Sequence, residues 1–232
     1  HSAFSTAPAR EAVPITLVAE AAWETTGATL DDHARRFAEA NGFAAKAGQY
    51  LALPAANGEV SHVLFGLGDA AGRSRDPFLA GKLPGLLPAG TFRFANATDD
   101  MHLGTLAFAL GSYRFGRYRK ADAPKARLVP PDGVDVADIS RMADAAALAR
   151  DLINTPANDM GPEELAAAAQ NLAQRFGASF NCITGDDLKQ GNFPLIHAVG
   201  MASPRAPRLI DMSWGDPAHP KVTLVGKGVC FD

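Results

Sequence analysis

The residues with the clearest potential for chemistry lie at the end of the chain. An apolar run, VTLV, is followed by Lys227 between two glycines, and Asp232 comes five residues later. Glycines at such a place allow a sharp turn and a close approach of the backbone to another group. A carboxylate there could bind a divalent cation, whereas a lysine can bind one only as the neutral amine, a form that a nearby dication favours. The spacing by itself also fits an interpretation without a metal site. In that interpretation Lys227 is a turn lysine in solvent and Asp232 caps the next element.

Motifs for other chemistries are weak. The G-K-G stretch lacks the surroundings of a phosphate-binding loop, so a nucleotide-binding α/β protein is only a third hypothesis. No H-E-x-x-H pair and no G-x-S-x-G elbow occurs in the sequence. We interpret His197, in an apolar run, as a hydrogen-bonded core residue and His219 as a loop residue. Cys230 has no evident histidine partner, which favours a packing role over a catalytic one.

Alternating helices and apolar strands must position these residues. The chain therefore belongs to the α/β class, with a mostly parallel or mixed sheet and helices on both faces. One helix, over 99–118, is expected to turn Leu103, Leu106 and Leu110 inwards. The predicted strands cover 14–19, 49–54, 61–68, 90–96, 125–131, 178–185, 207–214 and 221–231, and the other predicted helices cover 30–42, 76–87, 139–154, 161–177, 186–192 and 193–203.

Proline, aspartate and glycine concentrate between residues 121 and 136, which is typical of a linker. The sequence therefore predicts two domains, a smaller mixed α/β domain over 1–130 and a second α/β domain that starts at 131 and runs to 232. Because a buried strand at a chain end leaves backbone groups unpaired, we also expect that further residues follow Asp232 in the native protein.

The composition excludes several classes of protein. The net charge is −3, so there is no general basic field for nucleic acid or an anionic membrane, and no stretch is long enough to span a membrane. Two cysteines do not make a disulfide framework and suit a reducing cytoplasm. The basic and aromatic cluster YRFGRYRK, residues 113–120, is interpreted as a solvated helix end rather than as a DNA-binding site.

Four stretches resemble one known family in the same order and spacing. VTLVGKGVCFD is similar to the signature of the cytosolic leucyl aminopeptidases, which are dimetal exopeptidases. ARDLINTPANDMGPEELA, residues 149–166, resembles the start of that family's catalytic domain. FPLIHAVGMASPRAPRLIDMSW, residues 193–214, resembles the helix and strand before its metal site, and LGSYRFGRY, residues 110–118, the end of its N-terminal domain. The resemblance extends from about residue 100 to the last residue.

The resemblance implies a specific site and activity. Lys227 would be a ligand of one metal and Asp232 would bridge two divalent ions per subunit, zinc or manganese with magnesium also able to bind. Two such ions acidify a shared water and polarise a peptide carbonyl. The resemblance thus implies a cytoplasmic hydrolase, a metalloprotease of the aminopeptidase type, that acts on peptide substrates as a homohexamer.

The match to the family's pattern is partial. The Gly-Gly turn, the catalytic lysine, a further aspartate ligand and the Asp-x-Glu-x-Arg stretch that contains the family's arginine are absent, and we expect them beyond residue 232. No catalytic residue is therefore assigned within the chain, and the 232 residues alone are expected to be inactive. The alternative is a non-catalytic protein that binds DNA or a partner protein, which a salt-dependent DNA-binding assay would distinguish.

Overall fold

A computed structural model of the chain describes residues 1–69, 72, 76–96, 100–120, 122 and 125–230. The chain divides into two compact units, His1–Ala149 and Arg150–Asp232. The predicted domain boundary after residue 130 stays a prediction. Among the described residues, no helix has the length and apolar character that crossing a membrane requires.

The first unit is built on a five-stranded mixed sheet with the order β2-β3-β1-β4-β5. Parallel pairing joins β1 to β3, β1 to β4 and β4 to β5, whereas β2 runs antiparallel to β3. The strand predictions for this part of the chain are confirmed. The strands are β1 Val13–Ala19, β2 Tyr50–Pro54, β3 Val60–Gly68, β4 Gly90–Phe94 and β5 Ala126–Leu128.

Helices cover both faces of this sheet, as predicted. One face packs Ile15, Phe65 and Phe92 into a core that also contains Phe108 and Ile139. The opposite face forms a smaller core around Val18, Leu64 and Phe43. Successive strand residues point to opposite faces, which is why Leu64 and Phe65 enter different cores. The helices are α1 Trp23–Gly27, α2 Asp32–Ala40, α3 Leu83–Leu86, α4 Met101–Gly111 and the first part of α5 Val136–Asn154, with short 3-10 helices at Ala9–Glu11, Glu20–Ala22 and Leu79–Lys82.

The observed α4 is shorter than predicted, and its fully buried positions are not the leucines. It begins after its N-cap Asp100 and ends at Gly111, so residues 112–118 are not helical, and residues 97–99 lie outside the described part of the chain. Leu103, Leu106 and Leu110 are only half-buried. The fully buried positions are Thr105, Ala107, Phe108 and Ala109. The prediction of the leucine stripe as the inner face holds in part. Leu106 and Leu110 pack against the core as partly buried residues, and Ala107 is fully buried on the same side of the helix, where the neighbouring segment approaches.

Glycine makes that close approach possible. A methyl group on Gly111 would overlap the carbonyl oxygen of Gly81, and one on Gly81 would lie 2.9 Å from the carbonyl oxygen of Ala107. Gly104, in the same helix, has no atom closer than 4.0 Å to that position. The packing of α4 against the 3-10 helix Leu79–Lys82 therefore depends on backbone-to-backbone contact at Gly111 but not at Gly104.

The N-terminal segment extends the sheet at the edge strand β5. The amide of Ser5 donates to the carbonyl of Leu128 at 2.9 Å, and the amide of Leu128 donates to the carbonyl of Ala3 at 2.8 Å. Phe4 forms a parallel bridge with Leu128, and Ala3 is buried. These contacts satisfy backbone groups of β5 that β4 leaves unpaired.

His62 on β3 makes the stability of the first unit depend on pH. Burial and, to a smaller extent, the charge of Arg93 lower the pKa of His62 below its usual 6.5, and the ring nitrogen Nε2 lies 2.7 Å from Oγ1 of Thr16. The unfolded chain takes up a proton near pH 6.5 and the folded chain only at lower pH. Unfolding is therefore coupled to proton uptake, so stability falls as the pH is lowered from 6.5 through the folded-state pKa.

We expect His62→Asn to flatten this dependence between pH 7.5 and pH 5. The measurement is the free energy of unfolding from urea titrations at several pH values. His33→Gln is the matched control, because His33 is exposed on α2, and it should leave the slope unchanged. An equal slope in wild type and His62→Asn would contradict the assignment.

The second unit contains the rest of α5, three further helices and two strands. α6 Pro162–Phe176 has Pro162 at its first position and ends at Gly177, which has a φ of 67°. Both features match the sequence, because proline suits the first turn and glycine adopts the left-handed conformation that ends a helix. The remaining elements are β6 Ser179–Thr184, α7 Asp187–Gln190, α8 Pro194–Gly200 and β7 Arg208–Ser213.

One prediction for the second unit needs correction. β6 and β7 pair antiparallel over their whole length, with Ser179 opposite Ser213, which fits the mixed rather than the parallel form of the predicted sheet. The prediction of a strand over 221–231 is wrong for the described residues 221–230, which have no regular secondary structure. Leu224 and Val225 are 92% and 93% exposed, because no described strand pairs with this segment and its apolar side chains have no face to cover.

Candidate functional site

The candidate metal ligands lie in the final segment. Lys227 is exposed within residues 221–230, and a methyl group added to the preceding Gly226 would meet no other part of the chain within 4 Å. Asp232 lies outside the described residues. Within the described part of the chain, no group of three or more histidine, cysteine, aspartate or glutamate side chains is placed to hold a metal ion.

The segment makes contact with α6 directly after Lys227. A methyl group on Gly228 would overlap the end of the Leu165 side chain, so the two residues lie against each other. Cys230 is half-buried, and burial raises the pKa of its thiol, while the charges of Arg205 and Glu164 act on the same thiol in opposite directions. Residues 228–230 thus lie against the first turn of α6.

The first turn of α6 is held in place by hydrogen bonds and an ion pair that the sequence analysis did not predict. The guanidinium of Arg205 lies over Gly161, where a methyl group would overlap it. Its Nη1 donates to the carbonyls of Ala157 at 3.2 Å and Asn158 at 3.4 Å, and its Nη2 pairs with Oε2 of Glu164. The same Oε2 accepts from the amide of Gly161 at 2.9 Å. We call Arg205, Gly161 and Glu164 the arginine clamp.

The clamp holds Glu164 in its ionised form. Hydrogen bonding to its own backbone amide lowers the pKa of Glu164 most, and the amide of Gly161 and the charge of Arg205 lower it further, against the opposing effect of burial. A glutamate in the first turn also interacts favourably with the positive end of the helix dipole. The position of Glu164 three residues after Gly161 is a capping signal that the sequence contained, whereas nothing local pointed to Arg205.

The interpretation of His219 as a loop residue agrees with the structure, whereas His197 is hydrogen-bonded but does not lie in the core. His197 is half-buried on α8, and its Nε2 lies 3.1 Å from Oδ1 of Asp186. That carboxylate also pairs with Lys189 at 2.7 Å, and the hydrogen bond to Lys189 is the main reason why the pKa of Asp186 is lowered. His219 is exposed in a turn, where its amide donates to the carbonyl of Asp216.

The basic cluster at 113–120 follows the end of α4. Nη1 of Arg114 donates to the carbonyls of Gly111 at 2.9 Å and Tyr113 at 2.7 Å. A basic side chain on the last carbonyls of a helix satisfies groups that have no partner within the helix. This geometry agrees with a solvated helix end.

A polar cleft lies within the first unit. It has a volume of about 390 Å³, and its walls include Thr16, Ser61, His62 and the start of α2 at Asp31. Lys227 is not among its lining residues. The hydroxyl of Ser61 donates to the carbonyl of Leu53, and Thr16 is bonded to His62, so these polar groups are satisfied within the fold.

Two family models match the chain in succession. Residues 13–131 match the N-terminal domain of the M17 aminopeptidases, and residues 147–232 match the catalytic domain of the cytosol aminopeptidase family. A probable cytosol aminopeptidase from Methylorubrum extorquens is 33% identical, over 91% of this chain and 47% of the relative. One from Corynebacterium efficiens is 34% identical, over 84% of this chain and 41% of the relative. The chain spans about half the length of the curated relatives it matches.

Solved structures give the same result. The cytosol aminopeptidase of Coxiella burnetii superposes on this chain with a TM-score of 0.89 at 37% identity, over all of this chain and 50% of that one. The bottromycin maturation enzyme BotP in complex with Mn has a TM-score of 0.70 at 26% identity, over 88% of this chain and 45% of that one.

The fold and the matches define the class as an α/β chain that combines the N-terminal domain model and the catalytic domain model of one family. The chain belongs to the M17 cytosol aminopeptidase family, because the N-terminal model alone covers more than half of it. The family resemblance seen in the four sequence stretches is therefore confirmed.

Proposed function

We propose that the protein is a metal-dependent aminopeptidase of the leucyl aminopeptidase type, which releases N-terminal amino acids from peptides. The observation that carries this proposal is the match of the N-terminal and catalytic domain models in consecutive order, over 13–131 and 147–232. Because the chain spans about half of its relatives, the activity is proposed for the whole protein. In domain terms, 1–130 would form the N-terminal domain and 131–232 the first part of the catalytic domain.

The proposed cofactors are two divalent metal ions per subunit, zinc or manganese, with magnesium also able to bind. Lys227 and Asp232 would supply two of the ligands. The similar enzyme BotP was solved in complex with Mn, which supports a metal of this kind. The described residues do not complete such a site, because they contain no suitable group of three ligands. The remaining ligands and the catalytic residues must come from elsewhere in the whole protein.

We further propose peptide substrates, a homohexameric assembly and a cytoplasmic location. The relatives' names place them in the cytosol, and two cysteines without a disulfide fit a reducing compartment. A role in nucleic-acid binding gains no support, since the net charge is −3 and Arg114 of the basic cluster is engaged with the end of α4.

The test is hydrolysis of leucine amide and of a leucine-led peptide by the whole protein, with manganese or zinc added. We expect turnover that a chelator abolishes and that added metal restores, because the metal supplies the chemistry of this class. The same peptide with an acetylated amino terminus is the control and should not be cleaved. Chelator-resistant activity, or equal cleavage of the acetylated peptide, would overturn the proposal. The 232-residue chain alone should show no turnover.

A further inference from the structure

The arginine clamp lies where three segments of the second unit meet. Arg205 comes from the connection between α8 and β7, Gly161 and Glu164 from the start of α6, and the carbonyls of Ala157 and Asn158 from the loop before it. The Arg205 side chain is 30% exposed and that of Glu164 41% exposed. Only arginine has the planar fork of donors that can reach two carbonyls and a carboxylate at once.

The final segment rests on the same place. Gly228 lies against the side chain of Leu165, the neighbour of Glu164. Residues 221–229 are otherwise exposed, whereas Cys230 is half-buried. The clamp and the turn it stabilises therefore form the surface that residues 228–230 contact.

From these contacts we infer that Arg205 is a positioning residue that fixes residues 228–230 against the first turn of α6. It acts through Glu164 and Gly161, which it holds in place. Its consequence for catalysis rests on the proposed function: Lys227 directly precedes Gly228, so the clamp also sets where that amine is presented. The positioning itself needs neither metal nor substrate and can be tested without them.

The test uses the reactivity of Cys230 towards iodoacetamide. Alkylation is followed in the whole protein by mass spectrometry of the peptide that contains Cys230, so other thiols do not contribute. Arg205→Met should increase the alkylation rate of Cys230 several-fold, because release of the segment exposes the thiol. Exposure is the expected cause of the change, because Cys230 is half-buried whereas residues 221–229 are exposed.

Three further variants separate positioning from general damage. Glu163→Gln is the matched control: it lies beside Glu164 but pairs with Arg208 at 3.5 Å, and it should leave the rate unchanged. Gly161→Ala keeps every charge and displaces the guanidinium, so it should also accelerate alkylation. Arg205→Lys keeps the charge without the fork and should give an intermediate rate. Circular dichroism checks that each variant is folded.

The outcomes are distinct. An unchanged or slower rate in folded Arg205→Met and Gly161→Ala would overturn the inference. Acceleration by Glu163→Gln to the same extent would do so as well, because it would show a general loosening of α6. If the peptidase assay fails but these rates behave as expected, the proposed function is wrong and the positioning role stands.

Discussion

Replacing Asp232 by alanine in the whole protein is expected to lower aminopeptidase turnover by more than about 100-fold. This loss exceeds the decrease in activity that usually follows removal of a residue that only hydrogen-bonds to a metal ligand. In the proposed site this carboxylate bridges two dications, so its loss removes a ligand from both and leaves two positive charges less compensated. Lys227→Ala removes a neutral ligand from one ion and should have a smaller effect. The basis is the G-K-G-x-x-x-D spacing together with family membership.

Metal addition distinguishes the two variants. Excess manganese or zinc should partly restore turnover in Lys227→Ala and should fail to restore it in Asp232→Ala. A metal count per chain, measured beside turnover, shows whether ions are lost or merely misplaced. Lys221→Ala, in the same exposed segment, is the matched control and should keep full activity. Full activity and full metal content in both test variants would show that Lys227 is a turn lysine and Asp232 a cap.

The second large effect concerns two glycines of one helix. Gly111→Ala should destabilise the first unit by at least about 1–3 kcal/mol, the usual cost of overpacking a well-packed core. The new methyl group would overlap a backbone oxygen of Gly81, which no side-chain rotation can relieve. α4 would have to move away from the 3-10 helix Leu79–Lys82, where Leu79 and Ala80 are buried.

Gly104→Ala provides the internal comparison. Its methyl group would meet no atom closer than 4.0 Å, and alanine in a helix is favoured over glycine by about 0.5–1 kcal/mol. We therefore expect opposite signs from the same substitution seven residues apart. The measurement is the urea midpoint at unchanged m-value for both variants. Equal destabilisation by both would mean that helix α4 does not rely on the Gly111 contact.

Elements with a local signal were predictable from the sequence. The limits of α6 follow from Pro162 and Gly177, and the strands of the first unit follow from apolar runs bounded by turn residues. The burial of α4 was not predictable in the same way. Leu106 and Leu110 pack against the core as partly buried residues, but the tightest contact of the helix is made at Ala107 and Gly111, where Gly81 approaches, and that partner is distant in sequence.

The second unit shows what an apolar pattern leaves undetermined. VTLV has the composition of a buried strand, yet a strand also needs a neighbour, and residues 221–230 have none among the described strands. The antiparallel pairing of β6 with β7 was missed for a related reason, since the composition of a strand does not specify its direction. Both properties depend on the rest of the sheet.

The residues of the candidate site were likewise predictable from the sequence only in part. Lys227 and Asp232 came from a short motif whose function was indicated by family resemblance, because their spacing alone fitted a turn and a cap equally well. The arginine clamp had no sequence signal on the arginine side, since 41 positions separate Arg205 from Glu164. Pairs so far apart become visible only when the fold brings α6 and the connection before β7 together.

The pairing of the first residues with β5 has a practical consequence for handling this protein. An edge strand with free amides and carbonyls can pair with another molecule and initiate aggregation. Here Ala3 and Ser5 occupy those groups of Leu128. Removal of Ala3 and Ser5 would leave this edge open to intermolecular pairing, so any shortened version of the first unit should retain both residues.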